Sequence, residues 1–523
     1  MPNDFDAIVI GSGMGGLAAA AYMAKGGMRP LVLEQHFAPG GNAQTFRRKR
    51  MFDFDVGLHY IGDCGPGGLF STMMEQLGIA DRVEFVPMDQ DGFDTYIAPD
   101  MRFRMPAGWE RYRRRLHEAF PQETRAIDRY IDTLRSVSGA FTGGPPSGEP
   151  PVTQLLGKHW SQCTVGEVFD ALEISNRLRH LLGAQCALYA SPWSKGPLAM
   201  HALITDHYMR GAYFIRGGAR PLVEGLVDVI EDAGGEVRLR QRVKRIIVEN
   251  GKAVGVELLP KADQPPAGAK GEEIRAPLVV SNADAKRTFL EMVGEQQLSS
   301  ALVERVKDCR MALPLFVIYL AMEVDPSELG LTATNLYLVP NYDLEEQYAI
   351  CCEGRIPDKP HIYMSIASLK DPASPNLAPA GYTNLQIMTL APAELSAWGV
   401  SQGPASAPSK SAYRHTPAYE ATKHELERRM LDVVEEMLPG FIRKVVWQEC
   451  ATPLTQERFT LSTGGTSYGL EHTPDQFMTT RVALQTELPG LWMVGANTIF
   501  GHGIAGAMAS GRAAAGAILG QAR

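Results

Sequence analysis

The chain has little of what would tie it to an oxidising compartment, a metal or a polyanion. Its seven cysteines, Cys64, Cys163, Cys186, Cys309, Cys351, Cys352 and Cys450, are scattered, odd in number and never spaced C-x-x-C. That fits a reducing compartment without structural zinc. Adjacent Cys351 and Cys352 read as ordinary thiols, since no positive charge stands directly beside them. No H-E-x-x-H pair, grouped Cys and His or calcium loop occurs, so no metal is expected. A formal net charge of -8 gives no general attraction to phosphate polymers, which makes nucleic acid an unexpected partner. The most apolar windows, residues 313–322 and 491–499, fall short of the roughly 20 residues of a spanning helix. No basic and apolar leader precedes the first strand, so a cytoplasmic chain is expected, meeting a membrane only at its surface. What remains is 523 residues, 45% apolar and 21% charged, enough for a large core in two or three domains.

The organising motif opens the chain. Asp6-Ala-Ile-Val-Ile10 is a β-branched run suited to a buried parallel strand, and Gly11-Ser12-Gly13-Met14-Gly15-Gly16 follows without a spacer. Residues 17–26 are Ala-rich and helical in pattern. In that setting Gly11 makes the tight turn, Gly13 lets backbone approach a pyrophosphate, and Gly16 lets the helix pack closely on the strand. The helix N-terminus faces the anion. A second strand, residues 30–33, ends in Glu34, a little over 20 residues beyond Gly11. There a carboxylate can accept from both ribose hydroxyls of an adenosine, with Gln35 beside it. The acid favours FAD or NAD over NADP. A nicotinamide domain would continue with βα units, whereas Pro39-Gly40-Gly41-Asn42 and residues 52–62 are glycine-rich and suit backbone lying against an extended cofactor, FAD.

The segments Pro39-Gly-Gly-Asn-Ala-Gln-Thr-Phe46 and Phe52-Asp-Phe-Asp-Val-Gly-Leu-His-Tyr-Ile-Gly62 resemble the phytoene desaturase, carotenoid isomerase and retinol saturase superfamily of FAD-dependent oxidoreductases, and are most similar to its retinol saturase branch. Desaturases and flavin amine oxidases usually carry Arg after the paired glycines, so Asn42 points away from those two branches. The resemblance implies an α/β fold: a Rossmann-type, glutathione-reductase-like FAD-binding domain with an inserted mixed-sheet and helical substrate domain. Residues 1–80, 214–300 and 481–523 are expected in the first, and 81–213 and 301–480 in the second. The resemblance also places Val243 beside the adenine and residues 281–283, including Asn282, on the phosphate side.

Near the C-terminus, Gly501-His502-Gly503-Ile504-Ala505-Gly506 follows a strand ending at Gly495. An acid about 20 residues on would fall past Arg523, so a second dinucleotide fold is not expected. Instead a helix over 505–519 points its N-terminus at the flavin, favouring negative charge on the reduced ring. Between these regions, 81–213 begins with strands and turns helical, 139–157 and 401–411 read as loops, and β-rich runs at 315–320 and 361–366 suggest a mixed sheet. The basic helix around Arg111, Arg113, Arg114 and Arg115 reads either as a solvated face or as a rest for an anionic lipid surface.

Candidates for chemistry are fewer. His59 and Tyr60 follow a stretch expected to touch the cofactor and carry exchangeable protons, although both can equally satisfy interface hydrogen bonds. Tyr468 reads as a wall of the site or a packed tyrosine, His502 as a neighbour of the flavin, Asp55 as an orienting residue, and His201 and His207 as core histidines. The resemblance implies hydride transfer between FAD and a carbon of an apolar, conjugated, isoprenoid-like small molecule, as saturase or desaturase. A redox-neutral isomerase using reduced FAD is the rival within the enzyme class. A non-enzymatic prenyl-binding protein shares the fold, but the intact glycine loops and Glu34 argue against it.

Overall fold

A computed structural model of the protein describes residues 4–142, 151–260, 271–405 and 411–521. Two sheets organise these residues. The first is parallel and five-stranded, in the order Glu236–Arg238, Pro30–Leu33, Ala7–Ile10, Leu278–Ser281, Leu491–Met493. Ala7–Ile10 and Pro30–Leu33 are buried at every position, as continuous apolar runs in a sheet covered on both faces require. The turn out of Ala7–Ile10 needs φ +89° at Gly11, a conformation that side chains disfavour. The helix Met14–Lys25 then folds back on the sheet, and a Cβ on Gly16 would stand 2.2 Å from the Gly11 carbonyl. Small residues also let the C-terminal helix, Gly503–Gln521, lie directly on Met14–Lys25. At their closest approach a Cβ on Gly511 would meet the Gly15 carbonyl at 2.4 Å and the Ala19 amide at 2.7 Å.

The second sheet has seven strands, in the order Val445–Ala451, Leu315–Met322, Thr383–Leu390, Ile362–Ser365, Asn335–Leu338, Asp94–Ala98, Met101–Met105. All neighbours are antiparallel except Asn335–Leu338 and Asp94–Ala98. Alternation along the strands divides its side chains between two cores. Phe316, Ile318, Leu336, Met364 and Ile387 pack with Trp398 and the helix Pro417–Met437. Val317, Tyr319, Tyr337, Tyr363 and Met388 belong to the core formed with helices Thr124–Thr142 and Leu198–Met209. The register Tyr337, Tyr363, Met388, Val317 runs straight across four strands and makes one continuous wall.

A hairpin of Thr45–Arg48 and Phe52–Asp55 bridges the sheets. Asn384 Nδ2 donates to the Asp53 carbonyl at 2.8 Å, Gln386 Nε2 to the Asp55 carbonyl at 2.7 Å and Lys370 Nζ to the His59 carbonyl at 2.6 Å. Asp55 orients a neighbouring turn, as expected: its carboxylate accepts from Thr45 Oγ1 at 2.6 Å and the Ala219 amide at 3.0 Å. The loop expected over 139–157 is helical at both ends, in Thr124–Thr142 and Pro151–Leu156, while 143–150 lie outside the described residues. Proline in a first helical turn is no breaker, because that amide has no intrahelical partner to lose. Of the loop expected over 401–411, residues 406–410 also lie outside the described set. The basic helix, Trp109–Ala119, pairs Arg113 with Asp128 and Asp132 at 2.8 and 2.7 Å and Arg115 with Asp91 at 2.7 Å, so much of its charge is neutralised inside the fold.

The close crossing of the two small-residue helices is testable. Gly511→Val should destabilise the protein by about 1–3 kcal/mol, the usual range for overpacking. A lowered thermal midpoint is the expected result, and an unchanged one would show that the helices separate without penalty.

Candidate functional site

A cavity of about 790 Å³ runs between the two sheets, from the glycine loops to the tyrosine wall. Its lining includes nearly every residue that the sequence pointed to: Gly11, Gly13, Met14, Gly15, Glu34, Gln35, Gly40, Gly41, Asn42, His59, Tyr60, Val243, Asn282, Tyr468, Gly495, His502, Gly503 and Ile504. Gly16 is the exception. It sits behind the loop, against the Gly11 backbone, and acts through helix packing rather than at the cavity surface.

At one end the Glu34 carboxylate accepts from the Ser12 amide and hydroxyl at 2.9 and 2.7 Å and from the His36 amide at 2.7 Å. A carboxylate offers about four acceptor positions, so roughly one is open as the site stands. Holding both hydroxyls of a ribose requires the Ser12 hydroxyl to turn away. The Gln241 amide donates to the Glu34 carbonyl at 2.7 Å, which brings the start of Val243–Glu249 to the same end. The two glycine loops lie side by side, the Gly40 amide donating to the Ser12 carbonyl at 3.0 Å. The Asn282 carboxamide sits over the first loop: Cβ atoms on Gly13, Gly15 and Gly495 would meet it at 2.6, 2.6 and 2.4 Å. Gly13 is therefore required by the approach of Asn282 as well as by any pyrophosphate. Asn42 is a brace, with Oδ1 accepting from Gln456 and Nδ2 donating to the Ser467 carbonyl at 3.2 Å. Gln35 Nε2 likewise donates to the Phe459 carbonyl at 2.9 Å.

Further in, His59 lines the cavity deep within the protein, edge-on to Tyr363, and its Nδ1 is buried without a hydrogen-bond partner. Burial, helped by the charge of Lys370, lowers its pKa to about 3, so the ring stays neutral. The Tyr60 hydroxyl donates to Asp94 Oδ2 at 3.0 Å and lies 3.5 Å from the Tyr337 hydroxyl, while its ring stacks on Tyr208 at 4.1 Å. Burial holds the Tyr60 phenol well above its ordinary range. Behind it, burial raises Asp94 to about 7 against the opposing pull of Asn335, Tyr60 and Lys370, and lowers Lys370 to about 7.

His502 is tied at both ring nitrogens. A carbonyl only accepts, so Nε2 carries the proton donated to the Leu188 carbonyl at 2.8 Å. Burial lowers the pKa of His502 to about 4, which leaves Nδ1 as an acceptor for His472 Nε2 at 2.8 Å. His472 Nδ1 then accepts from Arg481 at 3.4 Å. His502 is a brace of its own turn rather than a proton donor. The Tyr468 hydroxyl donates to the Ala187 carbonyl at 3.2 Å and its ring meets His502 edge-on at 5.2 Å, so it stands as a wall. Gly465-Thr-Ser467-Tyr-Gly469 has the spacing of a nucleophile elbow but follows a short 3₁₀ turn, Thr463–Gly465, and leads into no helix. His201 is a core histidine, bonded to Tyr130 and Tyr189, whereas His207 reaches the cavity and accepts from the Gly62 amide at 2.8 Å.

Sequence reasoning missed Tyr208, Tyr337, Tyr363, Asp94, Asn335 and Lys370. A signal existed for three of them: tyrosines two residues beyond polar ones in Asn335-Leu-Tyr337 and His361-Ile-Tyr363, and a lone acid, Asp94, between Phe93 and Tyr96 in a strand. Lys370 had none, since its burial depends on tertiary packing. The glycine cradle, the acid at its end and the unpartnered His59 nitrogen fit a dinucleotide with a ring system at the inner end, as FAD is. If Glu34 holds the ribose, Glu34→Ala should weaken FAD binding by roughly 1.5–3 kcal/mol, the range for charge-assisted bonds. Titration of the apoprotein should show Kd rising accordingly, and unchanged affinity would mean that another group holds the ribose.

Comparison with known proteins agrees with this geometry. The family described as flavin containing amine oxidoreductase matches residues 14–365. The chain is similar to the all-trans-retinol 13,14-reductase of Danio rerio, 27% identical over 97% of this chain and 85% of that protein. It is also similar to the chloroplastic prolycopene isomerase of Daucus carota, 25% identical over 97% and 79%. Among solved structures, an oxidoreductase from Methanosarcina mazei shares the fold with a TM-score of 0.65 and 18% identity, covering 97% of this chain and 99% of that one. The chain belongs to the flavin-containing amine oxidoreductase family and is an FAD-dependent oxidoreductase.

Proposed function

We propose that the protein saturates a carbon–carbon double bond of an apolar, conjugated, isoprenoid-like small molecule. The observation that carries this reading is the character of the cavity beyond the cradle: Leu188, Leu203, Val317, Tyr337, Tyr363 and Met388 form its walls. A long apolar chain can be desolvated there along its length. Similarity to all-trans-retinol 13,14-reductase along nearly the whole chain supports the same substrate class. Similarity to prolycopene isomerase favours a second reading, redox-neutral isomerisation, in the same cavity.

In this reading residues 1–80, 214–300 and 481–523 bind the cofactor, and 81–213 and 301–480 bind the substrate. Glu34 holds the ribose, the two glycine loops with Asn282 lie along the phosphates, Val243 meets the adenine, and the turn around Gly503 and Ile504 meets the flavin. When bound, FAD supplies hydride transfer. The chain's own part is to exclude water, orient the alkene and deliver a proton to the carbon beside the hydride acceptor. Neutral His59 orients rather than protonates. Tyr60, whose phenol keeps its proton at any ordinary pH, is the donor, and Tyr468 closes the wall. Apolar polyenes partition into lipid, and we place the protein in the cytoplasm at a membrane surface. Among the described residues no helix is long and apolar enough to cross one.

Two measurements test this. Photoreduced enzyme incubated anaerobically with a panel of polyenes should reoxidise and yield a product heavier by two hydrogens. Unchanged mass with altered retention would favour isomerisation instead. Tyr60→Phe should keep its FAD and lose about 10²- to 10⁴-fold in turnover, the scale of general acid catalysis, and full turnover in this variant would move the proton donor elsewhere.

A further inference from the structure

We propose that Asp94 is the proton store of this site, acting through Tyr60 rather than on the substrate. The inference rests on the saturase reading above and deepens it.

Tyr60 has one proton, and its hydroxyl is held by Asp94 Oδ2 at 3.0 Å. While Asp94 is a carboxylate, that proton points away from the cavity, into the sheet. A protonated Asp94 reverses the bond: the carboxyl O–H donates to the Tyr60 oxygen, and the phenolic proton turns to the cavity that Tyr60 lines. The structure is built to hold Asp94 this way. Asp94 is 1% exposed, opens its strand directly opposite Asn335 in the parallel register, and has no ion pair among the described residues. Asn335 Nδ2 donates to Asp94 Oδ1 at 2.8 Å, which orients the carboxyl with Oδ2 on Tyr60.

The step balances as follows. The substrate carbon forms a C–H bond with the Tyr60 proton as the Tyr60 O–H bond breaks. The Tyr60 oxygen takes the Asp94 proton, leaving a carboxylate. The hydride for the neighbouring carbon, with its electron pair, is what reduced FAD would supply when bound. Water entering the emptied cavity returns the proton through Tyr60.

The groups facing Asp94 come from every surrounding element, and most do not titrate near neutrality. Burial holds the phenols of Tyr60, Tyr337 and Tyr363 well above their ordinary range and raises that of Tyr208 as well, while His59 stays neutral. Lys370 is the exception, lowered to about 7, and its cation favours the Asp94 carboxylate. A purely structural Asp94 would only hold Tyr60 in place. A store must lose its function as pH rises through neutrality, because only its protonated form supplies the proton.

The experiment is an infrared titration of the FAD-loaded protein beside single-turnover rates with a polyene. Wild type should show a carboxylic C=O band that fades as pH rises through neutrality, and Asp94→Asn should lack it, which separates Asp94 from Lys370. Asp94→Asn should keep FAD, lose about 10²-fold in rate and lose the neutral limb of its pH profile. Asn335→Ala, a milder change that removes a donor favouring the carboxylate, should move band and limb together to higher pH, and it decides the matter if Asp94→Asn does not fold. Saturation without the band, or a limb unmoved in both variants, overturns the store. The band without a two-hydrogen mass gain from any polyene overturns the saturase reading, and the proposal with it.

Discussion

The site depends on a strap, residues 52–60, held between two sheets by buried donors. Three side chains from outside the strap, Asn384, Gln386 and Lys370, donate to the carbonyls of Asp53, Asp55 and His59. Beyond its hairpin partner Thr45–Arg48 the strap has no second neighbouring strand among the described residues to take these carbonyls, and an unsatisfied buried carbonyl costs about 1–3 kcal/mol. Supplying the donors from strand Thr383–Leu390 and from Lys370, on the short helix after Ile362–Ser365, satisfies the backbone. It also fixes His59 and Tyr60 at the junction of cradle and chamber. Lys370 has a second anchor in Ser365, at 2.7 Å, and its neighbour Asp371 accepts from the Gly217 amide at 2.8 Å. Position at the reactive end is thus set by the fold's interior rather than by a surface loop.

The same burial shapes the electrostatics. Water-poor surroundings disfavour charge on every titratable group, pushing His59 and Lys370 down and Asp94 up. The result is a wall of neutral hydrogen-bonding groups with few free charges, which an apolar alkene can approach without a large desolvation penalty. Arg481 shows the alternative solution. Fully buried, it keeps its charge by donating to the carbonyls of Leu470, Ala496 and Thr498, and so braces the turn that carries Gly495 and His502.

Legibility followed the range of the interaction. The cradle was readable because each of its requirements is local: φ at Gly11, the close approach at Gly16, and the acid one strand beyond. β-rich runs made the mixed sheet readable, and its two cores follow from the alternation along its strands. His59 and Tyr60 were reached through the resemblance of their segment, but the sequence held no account of what lies behind them. Asp94 and Asn335 are 241 residues apart and meet only in strand register. Lys370 sits 311 residues from the carbonyl it serves. His502 lines the cavity, and its inability to donate follows only from a chain of partners at Leu188, His472 and Arg481.

That division separates two kinds of evolutionary freedom in the molecule. The cradle is made of backbone and small residues, so almost any side-chain change there alters the shape that meets the cofactor. The chamber is one face of an antiparallel sheet, where Val317, Tyr337, Tyr363 and Met388 share a register and each can change size without moving the strands. The strap joins the two through its backbone carbonyls. A fold arranged in this way can keep the geometry of the cradle while the chamber changes shape.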